Sequence, residues 1–288
     1  MSTTVALNHT TRYTYARPAE HSAQTIRLRP SPHCRTPILS YSLKITPDKH
    51  FFHWVQDPQG NFLARVVFPE TISELNVEVD LVADLVPVNP FDFFLEDYAE
   101  NFPFEYDATL QDELAPYLKQ PVDGGPAWRK FIDSIDITPR QTITFLVDLN
   151  QRLNQVVDYS TRMEPGILTP EQILDRGIGS CRDSTWLMIN ALRNFGLAAR
   201  FTSGYLIQLD HEDKVTGALE DVVDLHAWTE VYLPGAGWIG LDATSGLLAG
   251  EGHIPLAASP NPVSAAPITG STAAVDTEFE FSMSITRL

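Results

Sequence analysis

Cys181 follows Gly177-Ile178-Gly179-Ser180 and opens a run with helical spacing. A thiol at a helix start feels the dipole and the unpaired backbone N–H groups, and both favour thiolate. Glycines just before it let a substrate backbone approach. A free cysteine is more often a small buried apolar group, so the thiol alone does not establish catalysis. A thiol nucleophile also needs a base, and the base needs an orienting group. His226 stands 45 residues after Cys181, and Asp242 stands 16 residues beyond that. Strand alternation puts His226, Trp228, Glu230 and Tyr232 on one face, with Trp238, Gly240 and Asp242 sharing a parity on the next segment. The turn Pro234-Gly235-Ala236-Gly237 makes the two segments antiparallel, so His226 comes opposite the region of Asp242. The other parity (Ala227, Val231, Leu233, Ile239, Leu241) is aliphatic and suits a core. The expectation is a Cys-His-Asp set with His and Asp on an exposed face, able to attack an amide or ester carbonyl.

The elements that must carry this set fall into three stretches. Residues 1–88 read as β, with strands between Pro and Gly breaks and strict alternation over Leu75–Leu81. Asp57-Pro58-Gln59-Gly60 joins two of these strands. Residues 89–137 form an acidic, aromatic connector, expected to pack between two domains with rings inward. Residues 138–288 form the second domain. There, Thr138-Pro139-Arg140-Gln141 and Thr169-Pro170-Glu171-Gln172 read as helix starts, and Cys181–Phe195 as a helix stopped by Gly196. Strands follow at 199–207, 225–233 and 238–244; residues 246–276 look like an excursion, and 279–285 alternates as a final strand. The fold class is α+β: an antiparallel β-sandwich-like domain, then helices packed on an antiparallel sheet.

Composition narrows the function. The 288 residues hold 20 Lys+Arg against 37 Asp+Glu, a net charge of −17. Nucleic acid and anionic membranes are poor partners for such a chain. Two cysteines support neither a disulfide framework nor a cysteine-based zinc site. No basic and apolar leader opens the chain and no apolar run is long enough to span a bilayer, so a cytoplasmic protein is expected. The acidity is concentrated: residues 66–118 hold 13 acids and no base, and residues 201–288 hold 12 acids against 2 bases. Asp210, Glu212, Asp213, Glu220, Asp221 and Asp224 all precede His226 closely, which points to a cationic peptide or protein substrate.

The motif series Gly179-Ser180-Cys181-Arg182-Asp183, Ala191–Arg200, Ser203-Gly204-Tyr205, His226-Ala227-Trp228-Thr229-Glu230-Val231-Tyr232 and Gly237-Trp238-Ile239-Gly240-Leu241-Asp242 resembles the transglutaminase-like superfamily, in that family's order. The β region before it is similar to the N-terminal region of bacterial members. The resemblance covers about residues 140–250 and implies a papain-like core. It implies Cys181 as nucleophile, His226 as base and acid, and Asp242 as the orienting group. Ala243 stands where many members have proline, a change at the strand exit that leaves the carboxylate in place. The backbone N–H of Cys181 is an expected oxyanion donor; Ser180, Tyr159 and Trp228 are the supporting candidates, Tyr159 against the commoner reading of a core aromatic. No cofactor or metal is expected. His50 and His53 are awkwardly spaced for one metal, Asp210, Glu212 and Asp213 lack the order of a calcium loop, and Cys34 has no His-Asp pattern beside it.

The expected reaction passes through a thioester. Water would accept the acyl group in a peptidase or amidase, which is preferred here, and an amine in a transglutaminase. A binding or scaffold module without activity is the reading from another class. The chain ends directly on an apparent strand, which leaves room for further domains C-terminal to it.

Overall fold

A computed structural model describes residues 2–120, 124–162, 164, 166–210 and 220–288. Six strands come first: β1 (Thr3–Ala19), β2 (Gln24–Ile26), β3 (Ile38–Thr46), β4 (Phe51–Gln56), β5 (Phe62–Val67) and β6 (Ile72–Leu85). In β6 the alternation works as read: Leu75, Val77, Val79 and Leu81 are buried, and the polar residues between them are more exposed. Gly60 takes φ +81°, which a side chain rarely adopts, and the Asp57 carboxylate accepts the N–H groups of Gln59 and Asn61 to close the turn.

The connector holds β7 (Asn101–Phe102), α1 (Ala108–Glu113), α2 (Ala115–Leu118) and α3 (Pro126–Asp133). Its rings divide. Phe102 and Tyr106 are buried, while Phe91, Phe94 and Tyr98 stay exposed. Phe102 and Phe131 join the core of the second domain. The Tyr106 hydroxyl donates to the Tyr232 carbonyl and accepts the Ala198 N–H, which ties the connector to the main sheet.

The second domain runs through β8 (Arg140–Gln141), α4 (Thr142–Val156), β9 (Asp158–Tyr159), α5 (Pro170–Arg176), β10 (Ile178–Gly179) and α6 (Cys181–Asn194). It continues through β11 (Ala199–Gln208), β12 (Val222–Leu233), β13 (Gly237–Asp242), β14 (Leu247–Leu248) and β15 (His253–Ser259). The last five make one antiparallel sheet in the order β14-β13-β12-β11-β15. α4 and α6 cover one face, over Ala227, Val231, Leu233, Ile239 and Leu241, the aliphatic parity read from the sequence.

Two expectations are corrected. Thr138-Pro139 does not start α4. Arg140–Gln141 pairs instead with Asn101–Phe102, and Thr142 gives its N–H and hydroxyl to the carbonyls of Glu100 and Ala99, so the connector satisfies the helix start. The chain also leaves the second domain before it ends. β16 (Ile268–Thr269) pairs with β2, and β17 (Thr277–Arg287) pairs with β1 along its whole length. The first domain is therefore two four-stranded sheets, β17-β1-β6-β3 and β16-β2-β5-β4, around one apolar core. Alternation foretold a strand at 279–285, inside β17, but a strand's own pattern does not name its partner. Among the described residues, no helix is long and apolar enough to cross a membrane.

The two domains share core. Tyr205 and Ile207 of β11 and Ile254 and Leu256 of β15 pack into the apolar cluster of the first domain. At this seam His9 is buried, with Nδ1 2.8 Å from the Tyr205 hydroxyl and Nε2 2.9 Å from Oγ1 of Thr11. Burial pushes its pKa down to about 4. The unfolded chain thus binds a proton first, near the ordinary value of about 6.5, and stability present above that value is lost as the pH falls towards 4. The full effect is about 3 kcal/mol from the size of the shift. Urea unfolding between these limits should show the wild-type midpoint falling with pH more steeply than that of His9→Gln; parallel curves would remove His9 as the cause.

Candidate active site

The thiol is placed by a short sequence of local constraints. α5 starts at a capping box in which the Thr169 hydroxyl accepts the Gln172 N–H and the Gln172 side-chain Oε1 accepts the Thr169 N–H. It ends at Gly177, in the left-handed conformation at φ +63°. The chain then runs parallel to β9 for two residues, Ile178 beside Asp158 and Gly179 beside Tyr159. A Cβ on Gly179 would lie 3.1 Å from the Cβ of Asp183, so a larger residue would press on the helix start. Ser180 is the N-cap, and Cys181 is the first helical residue, half-buried at the edge of the core.

Asp183 fixes this start. It is fully buried, and Oδ2 accepts both the N–H and the hydroxyl of Ser180, at 3.0 and 2.6 Å. Arg162 reaches it with two prongs, Nη2 to Oδ1 at 2.8 Å and Nε to Oδ2 at 3.1 Å, and the Leu168 N–H adds a third partner. Burial would raise this carboxyl's pKa, but the Arg162, Ser180 and Leu168 donors outweigh it and hold it down at about 2. Arg182 points away and donates to the Arg162 and Glu164 carbonyls. Asp183 thus ties the start of α6 to the loop that carries Arg162.

The imidazole of His226 and the carboxylate of Asp242 come from β12 and β13. Their register sets Thr229 against Leu241 and Glu230 against Gly240, so His226 and Trp228 share a face with Asp242. Nε2 of His226 lies 3.2 Å from Oδ1 of Asp242, an ion-pair contact too bent for a well-formed hydrogen bond. The Cys181 thiol lies within electrostatic reach of the same ring. Burial alone would lower the His226 pKa, but Asp242 and Cys181 together raise it well above the usual value. Asp242 moves the opposite way. Burial would raise its pKa, and His226 and His253 hold it below the usual carboxylate range.

The face that carries these groups is not exposed, contrary to expectation. Trp228, Glu230 and Asp242 are all buried. The chain crosses this face between β14 and β15: the Ala249 N–H donates to the Gly240 carbonyl, and the Cβ of Ala249 fills the space that a Gly240 side chain would need. Trp228 lies under the crossing. A Cβ on Gly204 would fall 2.5 Å from the indole, so the bare β11 backbone makes room for the ring. The crossing also delivers a residue that the sequence reading missed. His253 opens β15 and sets Nε2 3.6 Å from Oδ2 of Asp242. Its segment read as an Ala/Ser/Pro/Gly excursion; the one available signal was the apolar run Ile254–Ala258 behind it, which is a strand.

His226, Asp242 and His253 place ligand atoms within 4.8 Å of one another, a spacing suited to a zinc-type ion. The protons do not fit one. Nδ1 of His253 accepts the Gly250 N–H at 3.2 Å, so the neutral ring keeps its proton on Nε2, the atom an ion would need bare. The Asp242 oxygens are likewise engaged, by the Thr244 N–H and the Ser245 hydroxyl.

Cys181, His226, Asp242, Ser180 and Trp228 therefore come together. Tyr159 sits beside Gly179 but is 56% exposed, so it is no core aromatic, and among the described residues its hydroxyl makes no hydrogen bond. Of the other candidates, burial pushes the Cys34 thiol up to about 11, and it donates to the Thr36 carbonyl. Glu212 and Asp213 lie outside the described residues. Asp183→Ala should cost ~3 kcal/mol in urea unfolding, because it leaves the Arg162 charge and the Ser180 donors without their acceptor; a loss under about 0.5 kcal/mol would show that the clamp carries little of the fold.

The sequence model of the bacterial transglutaminase-like N-terminal region matches residues 5–84, and that of the transglutaminase-like superfamily matches residues 129–243. The structure of a candidate cysteine protease from Cytophaga hutchinsonii shares the fold, with a TM-score of 0.70 at 16% identity over 100% of this chain and 91% of that one. An uncharacterized protein of Mycobacterium tuberculosis is 26% identical over 261 residues, which span 86% of this chain and 81% of the relative; a Mycobacterium bovis protein matches equally.

Proposed function

From the chain's membership of the transglutaminase-like superfamily, we propose that it is a cysteine-dependent enzyme that cleaves amide bonds through a thioester and passes the acyl group to water. The observation that carries this reading is that one buried imidazole, His226, interacts with both the Cys181 thiol and the Asp242 carboxylate. In this mechanism His226 takes the thiol proton as the sulfur attacks the amide carbonyl. The same proton then goes to the departing nitrogen, which leaves as an amine, and a thioester remains on Cys181. Water attacks the thioester, His226 takes its proton, and the thiol and a carboxylic acid are released. The first-turn N–H of Cys181 has no intrahelical partner and is directed to the developing oxyanion. Tyr159, exposed beside Gly179, is the candidate for a second donor.

The substrate class rests on charge. Asp224 is exposed on the strand that bears His226, and Asp210 and Glu220 border the start of that strand, while Asp221 there is paired with Arg287. Such a rim favours basic peptides, and salt would screen the preference.

The test is mass-spectrometric trapping of an acyl adduct on Cys181 from a glutamine-containing peptide library, with and without a labelled amine. The expected result is an adduct lost in Cys181→Ala, free acid exceeding amine product, and enrichment of basic peptides that fades with added salt. Amine product exceeding acid would make the enzyme a transglutaminase. No adduct, with Cys181 no more reactive than a free thiol, would favour a non-catalytic binding module.

A further inference from the structure

Asp242 is restrained on more sides than its contact with His226 accounts for. The Thr244 N–H donates to Oδ1 and the Ser245 hydroxyl to Oδ2, each at 2.9 Å. His253 approaches Oδ2 from β15, at 3.6 Å, longer than a hydrogen bond and within electrostatic reach. Its ring cannot turn freely. Nδ1 is held by the Gly250 N–H, which directs the ring's only proton, on Nε2, at the carboxylate. Trp228 meets the His253 ring edge-on, at 5.1 Å and 82°, and lies close to parallel with the His226 ring, at 6.4 Å and 25°. One indole thus sets both imidazoles, and both address the same carboxylate from different strands.

We propose that His253 is a positioning residue: its Nε2–H, fixed by Gly250 and Trp228, holds Asp242 with Oδ1 turned to His226. This rests on the reading of Cys181, His226 and Asp242 as the reacting set. His253 acts through Asp242 and not on the substrate. The titratable groups that face the pair are Cys181 from α6, which acts on His226, and His253 from β15, which acts on Asp242. Without His253, the carboxylate keeps its Thr244 and Ser245 donors but loses the wall and the dipole on its Oδ2 side. It can then swing away from His226, and the imidazolium that must form beside the thiolate loses support.

The experiment needs no natural substrate. Alkylation of Cys181 by iodoacetamide is followed at about pH 6 by mass spectrometry, with Cys34 read in the same digest as the reference thiol. His253→Phe fills the volume and removes both ring nitrogens; it should slow Cys181 about tenfold. His253→Gln can accept the Gly250 N–H and donate to Asp242 through one amide, and should stay within about threefold of wild type. Equal rates in all three proteins overturn the proposal. So does an equal loss in both variants, which would mark general packing damage. If wild-type Cys181 reacts no faster than Cys34, the underlying triad reading fails instead. A second measurement uses the wild-type protein alone: two-bond 1H–15N NMR correlations near neutral pH should put the His253 proton on Nε2, and a proton on Nδ1 would overturn the proposal.

Discussion

A carboxylate removed from water is the constraint around which the second domain is organised. Asp242 is 2% exposed and remains charged, which is costly unless donors and an opposite charge surround it. The required partners come from separated stretches of chain. His226 arrives on β12, His253 on β15, and Thr244 and Ser245 from the turn after β13. The sheet order and the crossing from β14 to β15 are what make these groups meet. The bare backbone at Gly204 and Gly240 follows from the same need, since Trp228 and the crossing strand occupy the space above them.

The thiol's side of the site uses the same device. Asp183 is also buried and charged, and its partners Arg162, Ser180 and Leu168 come from the loop and turn before α6. One carboxylate thus anchors the helix that bears the Cys181 thiol, and another lies against the His226 imidazole. Each converts the cost of burying a charge into a fixed geometry, which a site acting by position requires. Behind both, the shared core at Tyr205, Ile207, Ile254 and Leu256 braces the sheet against the first domain.

What the sequence made legible was local. The helix starting at Cys181, the hairpin of β12 and β13 and the parity that puts His226 with Asp242 all follow from periods of a few residues and from Gly-rich turns. The partnership of β17 with β1 and of β16 with β2 was not legible, because a strand's alternation records burial of one face and is silent about its neighbour. The start of α4 was misplaced for a related reason: its cap is supplied by Ala99 and Glu100 of the connector, far from Thr142 in sequence. His253 was hidden because its role depends on a crossing over the sheet face that leaves no period in the sequence. The burial of that face was missed with it.

The central claim is that the buried Asp242 carboxylate raises the proton affinity of His226. The most direct measurement is an NMR titration of the His226 ring in wild type and in Asp242→Asn. The account predicts a wild-type midpoint well above the ordinary histidine value of about 6.5, falling steeply in the variant, where only Cys181 still opposes burial. A wild-type His226 that titrates at or below the ordinary value, unchanged by loss of the carboxylate, would contradict it.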